Sequence, residues 1–240
     1  MASISFIIPA YNEERLLGRT LRAIDRAAQP LGEPIEVIVV DDASTDRTAA
    51  VAQEHGARVV SVKCRQIAAT RNAGAREADG EMLIFVDADT LVTEAAVRAA
   101  IAALRGGAVG GGCAFRFDGP LPAYGRVLGA VAVPLYRVVG LASGCFLFCT
   151  REAFCAAGGF DETLFGAEEL AMSQALRRQG RFAILREFVT TSGRKLRAHS
   201  GREVLGILLR LALAGPKGVR QRERLDIWYG ERRADPGSDA

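Results

Sequence analysis

Four short apolar runs, each followed by a stretch with helical patterning, fix what this chain can become. The order reads strand 4–8, helix about 13–28, strand 35–40, helix about 46–55, strand 58–62, helix about 67–78, strand 82–86 and helix about 93–105. Strands joined by short links through helices must run parallel, so the expected class is α/β, with a mainly parallel central sheet flanked by helices. Asn12 and either Thr45 or Asp46 are the expected N-caps, and Gly56, Gly80 and Gly106 the expected stops.

Three of these strands run straight into polar residues. Ile84-Phe85-Val86-Asp87-Ala88-Asp89-Thr90 sets two carboxylates one residue apart, Val37-Ile38-Val39-Val40-Asp41-Asp42 does much the same, and Ser5-Phe6-Ile7-Ile8 leads into Pro9-Ala10-Tyr11-Asn12-Glu13-Glu14. Open parallel sheets bind ligands outside the carboxyl ends of their strands. An oxygen-only site there suits Mg²⁺ or Mn²⁺ bridging to a phosphate. The plainer reading is that such aspartates cap the following helices.

At 240 residues and about half apolar, the chain can bury a large core without disulfides. Its five cysteines are odd in number and lack paired Cys-x-x-Cys spacing for zinc. An apolar strand begins within four residues of the N-terminus with no basic leader before it, so no secretory signal is expected, and the expected location is the cytoplasm or the inner face of the membrane. Arginines crowd the last third, from Arg177 to Arg233. Solvated helix faces account for most such runs, and the aromatic residues that nucleic-acid binding would interleave are sparse, so no nucleic acid is expected.

After the glycine-rich stretch 106–112 the pattern changes. Residues 113–117 alternate like a strand, an apolar helix covers about 123–139, and a second strand covers 144–149, together a smaller mixed region of the same sheet. The organisation expected is one domain over 1–233: a half at 1–112, a second half at 113–200 and a helical segment at 201–233, with a disordered tail at 234–240. The apolar run 204–213 is too short and too charged to span a membrane. It either packs against the domain or lies on a membrane surface as a peripheral contact.

Several separated motifs resemble those of the family 2 glycosyltransferases, whose fold is the Rossmann-like GT-A type. They are Pro9-Ala10-Tyr11-Asn12-Glu13-Glu14, Val40-Asp41-Asp42-Ala43-Ser44-Thr45-Asp46, Ala69-Thr70-Arg71-Asn72-Ala73-Gly74, Asp87-Ala88-Asp89, and Arg151-Glu152-Ala153-Phe154 leading to Gly158-Gly159-Phe160-Asp161-Glu162 and then Glu168-Glu169. The resemblance covers most of residues 3–200. It implies an inverting transfer of a sugar from a nucleotide-sugar donor, most naturally a UDP-sugar, to a glycan, lipid-linked or small-molecule acceptor.

By the same resemblance Pro9, Tyr11 and Glu13 wall the nucleoside pocket, and Asp42 accepts from the base, which favours uracil. Arg71 sits near base or phosphate, Asn72 and Gly74 permit a close backbone approach, and Arg194 reaches the diphosphate. Asp89 holds the metal, with Asp87 on the ribose or as a second metal contact. Glu169 is the expected catalytic base, one methylene longer than the family's usual Asp, with Glu168 as its fallback. Trp228 and Tyr229 are read as stapling the end of the chain to its body. Two other readings stand beside this one. A nucleotidyltransferase would need a glycine-rich, lysine-bearing phosphate loop, which is absent, and a silent sugar-nucleotide-binding protein would keep the pocket without a usable base.

Overall fold

The computed structural model describes residues 3–225, 229–230 and 235; Trp228 and all of the 234–240 tail except Asp235 lie outside them. In chain order the parallel half comprises β1 (Ile4–Ala10), α1 (Leu17–Ala28), β2 (Ile35–Asp42), α2 (Thr48–Glu54), β3 (Arg58–Val62), α3 (Ile67–Glu77), β4 (Met82–Val86), the two-residue β5 (Thr90–Leu91) and α4 (Glu94–Arg105). The second half adds β6 (Gly110–Phe117), α5 (Ala123–Val139), β7 (Phe146–Thr150), α6 (Arg151–Ala156), α7 (Glu168–Arg177), β8 (Phe182–Thr191), α8 (Arg194–Ala198) and α9 (Gly201–Ala214).

All eight strands form one sheet in the order β3-β2-β1-β4-β7-β6-β8-β5. β1 pairs in parallel with both β2 and β4, and β2 with β3. β7 is antiparallel to β4 and β6, while β8 is parallel to β6 and antiparallel to β5. The expected α/β class with a mixed second region is therefore the observed one. The boundary read after residue 112 falls inside β6.

Both faces of the sheet are covered, which is why its central strands are almost continuously apolar. On one face Ile4, Phe6 and Ile8 pack with α1 and α4 through Leu17, Ile24 and Val97. On the other, Ile7, Val40 and Phe85 pack with α3, α6 and α7 through Ala73, Phe154 and Met172. Helix α3 lies very close to the strands: a Cβ on Gly74 would fall 2.5 Å from Ile7 Cγ2 and 2.7 Å from Val40 Cγ2. The close approach expected of Gly74 is thus present. Asn72, expected to serve the same purpose, instead ties down a loop, its amide donating to the Phe160 carbonyl at 2.9 Å and its Oδ1 accepting from Phe160 N at 2.8 Å.

Helix starts differ from the expected caps in an informative way. Asn12 does not cap α1, which begins only at Leu17; it sits at φ 51° and accepts from Thr45 N at 2.8 Å, tying the turn after β1 to the turn after β2. Asp46 does support α2, accepting from Thr48 N at 2.9 Å. Thr93 caps α4, accepting from Ala96 N at 3.1 Å, so neither Asp87 nor Asp89 is needed for that purpose. After α4 the left-handed residue is Gly107, φ 84°, one past the expected stop at Gly106.

Strand β8 has no counterpart among the expected elements. Its register against β6 slips between Cys113 and Ala114, so that Arg186 and Glu187 bulge out of the ladder and break the alternation a strand would show. Among the described residues no helix is long and apolar enough to cross a membrane. Helix α9 buries Val204 and Ile207 and exposes Leu205 and Leu209.

Candidate active site

β1 lies between β2 and β4, so the chain changes direction across the sheet at the β1/β4 boundary, the place where open α/β sheets form a crevice. A cleft of about 690 Å³, including its open mouth, occupies that place. Pro9, Tyr11 and Glu13 enter it from the end of β1, Asp42 from β2, Asp87 and Asp89 from the turn after β4, and Arg194 from α8. Among the described residues the four non-glycines with left-handed backbone, Asn12, Ala43, Arg65 and Ala167, lie in turns after the first three strands and before α7. Strain of this kind persists where the surrounding structure holds it, commonly at sites that use the resulting geometry.

The two aspartates are held apart by α1 and by β8. Thr20 donates to the Ala88 carbonyl at 2.8 Å between them. Short β5 pairs with Thr190 and Thr191, and Ser192 N donates to the Asp89 carbonyl at 3.2 Å. That pairing delivers α8 to the cleft. Arg194 Nη2 bonds Glu13 and lies 3.2 Å from Asp89 Oδ2, while its buried Nε has no hydrogen-bond partner among the described residues. Burial and the neighbouring Asp89 push the Asp87 carboxyl above the usual carboxylate range, against the pull of Arg71 and Lys195.

Asp42 faces the cleft with most of its acceptor capacity already used. Oδ1 accepts from Cys64 N and Arg65 N, both at 2.8 Å, and Oδ2 from Gln66 N at 3.1 Å, with the Thr70 hydroxyl 2.9 Å away. A carboxylate has about four acceptor sites, so one at Oδ2 is left when the Thr70 proton goes to the Gln66 carbonyl, 2.7 Å away. Asp42 therefore shapes the β3–α3 loop first. That loop brings Arg65 over the Tyr11 ring at 3.4 Å, a cation–π contact that forms part of the wall.

Arg71 is not in the cleft wall. It is 3% exposed and sits behind it, donating to Asp87 Oδ1 at 2.9 Å, to Glu168 Oε1 at 2.8 Å and to the Gly144 carbonyl at 2.9 Å. The expected contact with base or phosphate gives way to a clamp joining β4, α7 and the turn before β7. Burial works against its charge, but Asp87, Glu168 and Glu169 outweigh it and hold the guanidinium pKa above its ordinary value.

Glu168 is buried in that clamp. The Glu169 carboxyl lies close to Gly144, the residue whose carbonyl Arg71 also bonds. Burial and Glu168 push its pKa to about 8, only partly offset by Arg71. A carboxyl so tuned can accept a proton near neutral pH.

Arg65, Gln66, Lys195 and Tyr229 also line the cleft and were not among the expected site residues. Arg65 and Gln66 come from a loop whose sequence carries no family motif, and Lys195 merely adjoins Arg194. Tyr229 was read as a staple; its hydroxyl accepts from Ile67 N at 3.4 Å, so it fastens the end of the chain at the cleft itself.

Residues 5–137 match the Glycosyl transferase family 2 profile. Validoxylamine A glucosyltransferase of Streptomyces hygroscopicus subsp. jinggangensis is 36% identical over 124 residues, which is 48% of this chain and 29% of that protein. Undecaprenyl-phosphate 4-deoxy-4-formamido-L-arabinose transferase of Pseudomonas paraeruginosa is 39% identical over 94 residues, 36% of this chain and 27% of that one. The chain thus spans less than a third of the length of these curated relatives.

Two solved structures share the fold. A mannosyltransferase from Pyrobaculum calidifontis, in complex with GDP-Man and Mn²⁺, superposes with a TM-score of 0.68 at 21% identity, covering 89% of this chain and 62% of that one. Glucosyl-3-phosphoglycerate synthase from Mycobacterium tuberculosis, in complex with Mn²⁺, UDP and glucosyl-3-phosphoglycerate, gives 0.60 at 22% identity, covering 97% and 82%. With a profile match over more than half its length and strand-end carboxylates arranged as the motifs require, the chain belongs to glycosyl transferase family 2.

Proposed function

We propose that this chain catalyses an inverting transfer of a sugar from a UDP-sugar to a hydroxyl of a glycan, lipid-linked or small-molecule acceptor. The observation that carries this reading is a cleft at the β1/β4 boundary combining strand-end carboxylates, the cations Arg194 and Lys195, and a nearby carboxyl, Glu169, with a pKa of about 8. In this reading the nucleoside lies against Glu13 and Tyr11, which line the cleft, and the remaining acceptor site on Asp42 takes one donor such as uracil N3–H.

Asp87 and Asp89 suit a divalent cation. They are hard oxygen donors, and burial together with the neighbouring Asp89 raises the Asp87 pKa, a cost a cation would relieve. Among the described residues no set of three protein ligands surrounds them, so the donor's diphosphate would complete the coordination. Mg²⁺ or Mn²⁺ bound there would stabilise the negative charge of the departing diphosphate.

The chain's own groups do the rest. Arg71 fixes Asp87 and Glu168, and Arg194 can exchange its carboxylate partners for phosphate oxygens. Glu169 takes the acceptor's proton as the acceptor oxygen bonds to the anomeric carbon. The bond from that carbon to the phosphate oxygen breaks, and the diphosphate leaves with the electron pair. Complexes of the two structural neighbours with nucleotide or nucleotide sugar and Mn²⁺ support the reading.

Thermal-shift titration of a nucleotide-sugar panel, with and without Mn²⁺, tests it. A UDP-sugar should raise the midpoint most, and more with Mn²⁺. Asp89→Asn should weaken binding with Mn²⁺ far more than without it. Equal loss in both conditions would remove Asp89 from the metal, and no response to any nucleotide sugar would overturn the proposal.

A further inference from the structure

Both carboxylate oxygens of Asp89 are engaged by the segment that joins β8 to α8. Thr191 Oγ1, which accepts from the Thr90 hydroxyl at 3.0 Å, donates to Asp89 Oδ1 at 3.4 Å. Arg194 Nη2 lies 3.2 Å from Asp89 Oδ2 and bonds Glu13 with the same nitrogen. A single guanidinium nitrogen thus sits between the carboxylate proposed for the metal and the carboxylate proposed for the nucleoside. Burial works against the charge of Arg194, but Glu13 and Asp89 hold its pKa above the ordinary value, so it meets them as a full cation.

The backbone that carries this contact is pinned from two sides. Ser192 N donates to the Asp89 carbonyl at 3.2 Å, and Gly193 N donates to Asp118 Oδ1 at 2.8 Å. Arg197, one turn further along α8, donates to the Asp118 carbonyl at 2.8 Å. Arg194 therefore leaves Asp89 by rotation of its own side chain, with the helix in place. It has something to gain by leaving. Its Nη2 is shared between two carboxylates, and its buried Nε has no hydrogen-bond partner among the described residues. A phosphate seated on the Nε–Nη2 edge would take two parallel bonds, the arrangement in which a guanidinium holds phosphate best.

We propose that Arg194 is a latch that makes metal and donor binding interdependent. The inference rests on the function proposed above, from which it takes a divalent cation at Asp89 and a diphosphate in the cleft. A cation on Asp89 must take Oδ2 from a guanidinium and then lie beside that positive charge, so the cation alone is held weakly. The diphosphate draws Arg194 away from both carboxylates, which frees Asp89 for the cation and Glu13 for the nucleoside. Each ligand thus prepares the site for the other. Such coupling is reciprocal: the factor by which the cation tightens the nucleotide is the factor by which the nucleotide tightens the cation. The latch keeps a cation from settling in the cleft ahead of its donor.

Two titrations of the full chain test the proposal: Mn²⁺ without nucleotide, followed by the electron paramagnetic resonance of the free ion, and UDP without metal, followed by calorimetry in EDTA. Arg194→Met should move them in opposite directions. Mn²⁺ should bind about tenfold tighter than to wild type, inside the range of roughly 5–150-fold usual for coupled sites, while UDP binds more weakly. A residue that only braced the fold would weaken both, and that result would overturn the latch. Arg65 supplies the control, because it lines the same cleft over Tyr11 and forms no ion pair with either aspartate among the described residues. Arg65→Met should leave Mn²⁺ binding near wild type; a gain equal to that of Arg194→Met would reduce the effect to net charge and overturn the latch. Should Arg194→Met fail to fold, Arg194→Lys must show the same opposed shifts to a smaller degree. Adding Asp89→Asn to Arg194→Met should abolish the gain in Mn²⁺ affinity. A gain indifferent to Asp89 would overturn the proposed metal position and the latch with it, whereas an Asp89-dependent site that Arg194→Met leaves no tighter would overturn the latch alone.

Discussion

Glu169 is where side-chain chemistry is most exposed to measurement. With its carboxyl pushed to about 8 by burial and Glu168, the proton-accepting form grows as pH passes from 7 to 9, so transfer should rise over that window and then level. Glu169→Gln should lower transfer by roughly 10²–10⁴ with donor affinity nearly intact. The same shift works against stability. A carboxyl whose folded pKa lies above its unfolded value loses folding free energy as pH rises from the ordinary glutamate range through 8, so the glutamine variant should gain in unfolding midpoint over wild type between pH 5 and pH 9. A flat pH–rate profile in that range would take the base role away from Glu169. Arg71 makes a second test. Arg71→Met leaves Glu168 buried beside Asp87 without its partner, a loss of about 3–5 kcal/mol by urea denaturation. Arg71→Lys should recover part of the stability but lose orientation, because one ammonium cannot reproduce the guanidinium's simultaneous bonds to two carboxylates and the Gly144 carbonyl.

At the level of elements, the parallel half could be read from the chain because its information is local. Strands β3 and β4 fall at the expected 58–62 and 82–86, and α3 and α4 differ from expectation by a single residue. Gly74 belongs to this scale, since it sets how closely α3 lies on β1 and β2. With Ile7 Cγ2 at 2.5 Å from the position of a new Cβ, Gly74→Ala must push the helix off the sheet, at a cost of about 1–3 kcal/mol and with Arg71 displaced at the same time. Chemical denaturation together with donor titration checks both effects; an unchanged midpoint would mean that the helix and strands can part freely. Strand β8 escaped notice because the bulge at Arg186 and Glu187 interrupts its period.

Over the whole molecule, segments far apart in sequence meet around the acidic loop before α7. Val219 accepts from Phe165 N at 2.7 Å, Leu225 is 1% exposed and packs toward Gly166, and Tyr229 stacks edge-on to Phe165 with ring centres 5.8 Å apart. The end of the chain thus supports the loop that presents Glu168 and Glu169. Leu225→Ala should cost about 2–4 kcal/mol and reduce transfer more than it reduces donor binding, because its support falls on the base side of the site. Equal losses in the two measurements would mean that Leu225 serves the fold as a whole.

The α/β class, the strand-end carboxylates and the family were all present in the linear sequence, because hydrophobic period and short motifs are properties of neighbouring residues. The strand-end positions of Pro9, Tyr11, Glu13, Asp42, Asp87 and Asp89 in the cleft follow from the same local pattern. What the sequence could not supply were the partners those residues find elsewhere in the chain, from 16 positions away for Asp87 and Arg71 to 181 for Glu13 and Arg194. Whether Arg71 faces a ligand or a buried carboxylate pair depends on where α7 packs, and the meeting of Arg194 with Glu13 and Asp89 depends on β8 reaching β5. Asp42 likewise reads as a base acceptor until the backbone of residues 64–66 is seen to take most of its oxygens. Charge and hydrogen-bonding capacity are written in the residues, but which neighbour uses them is settled by packing in three dimensions.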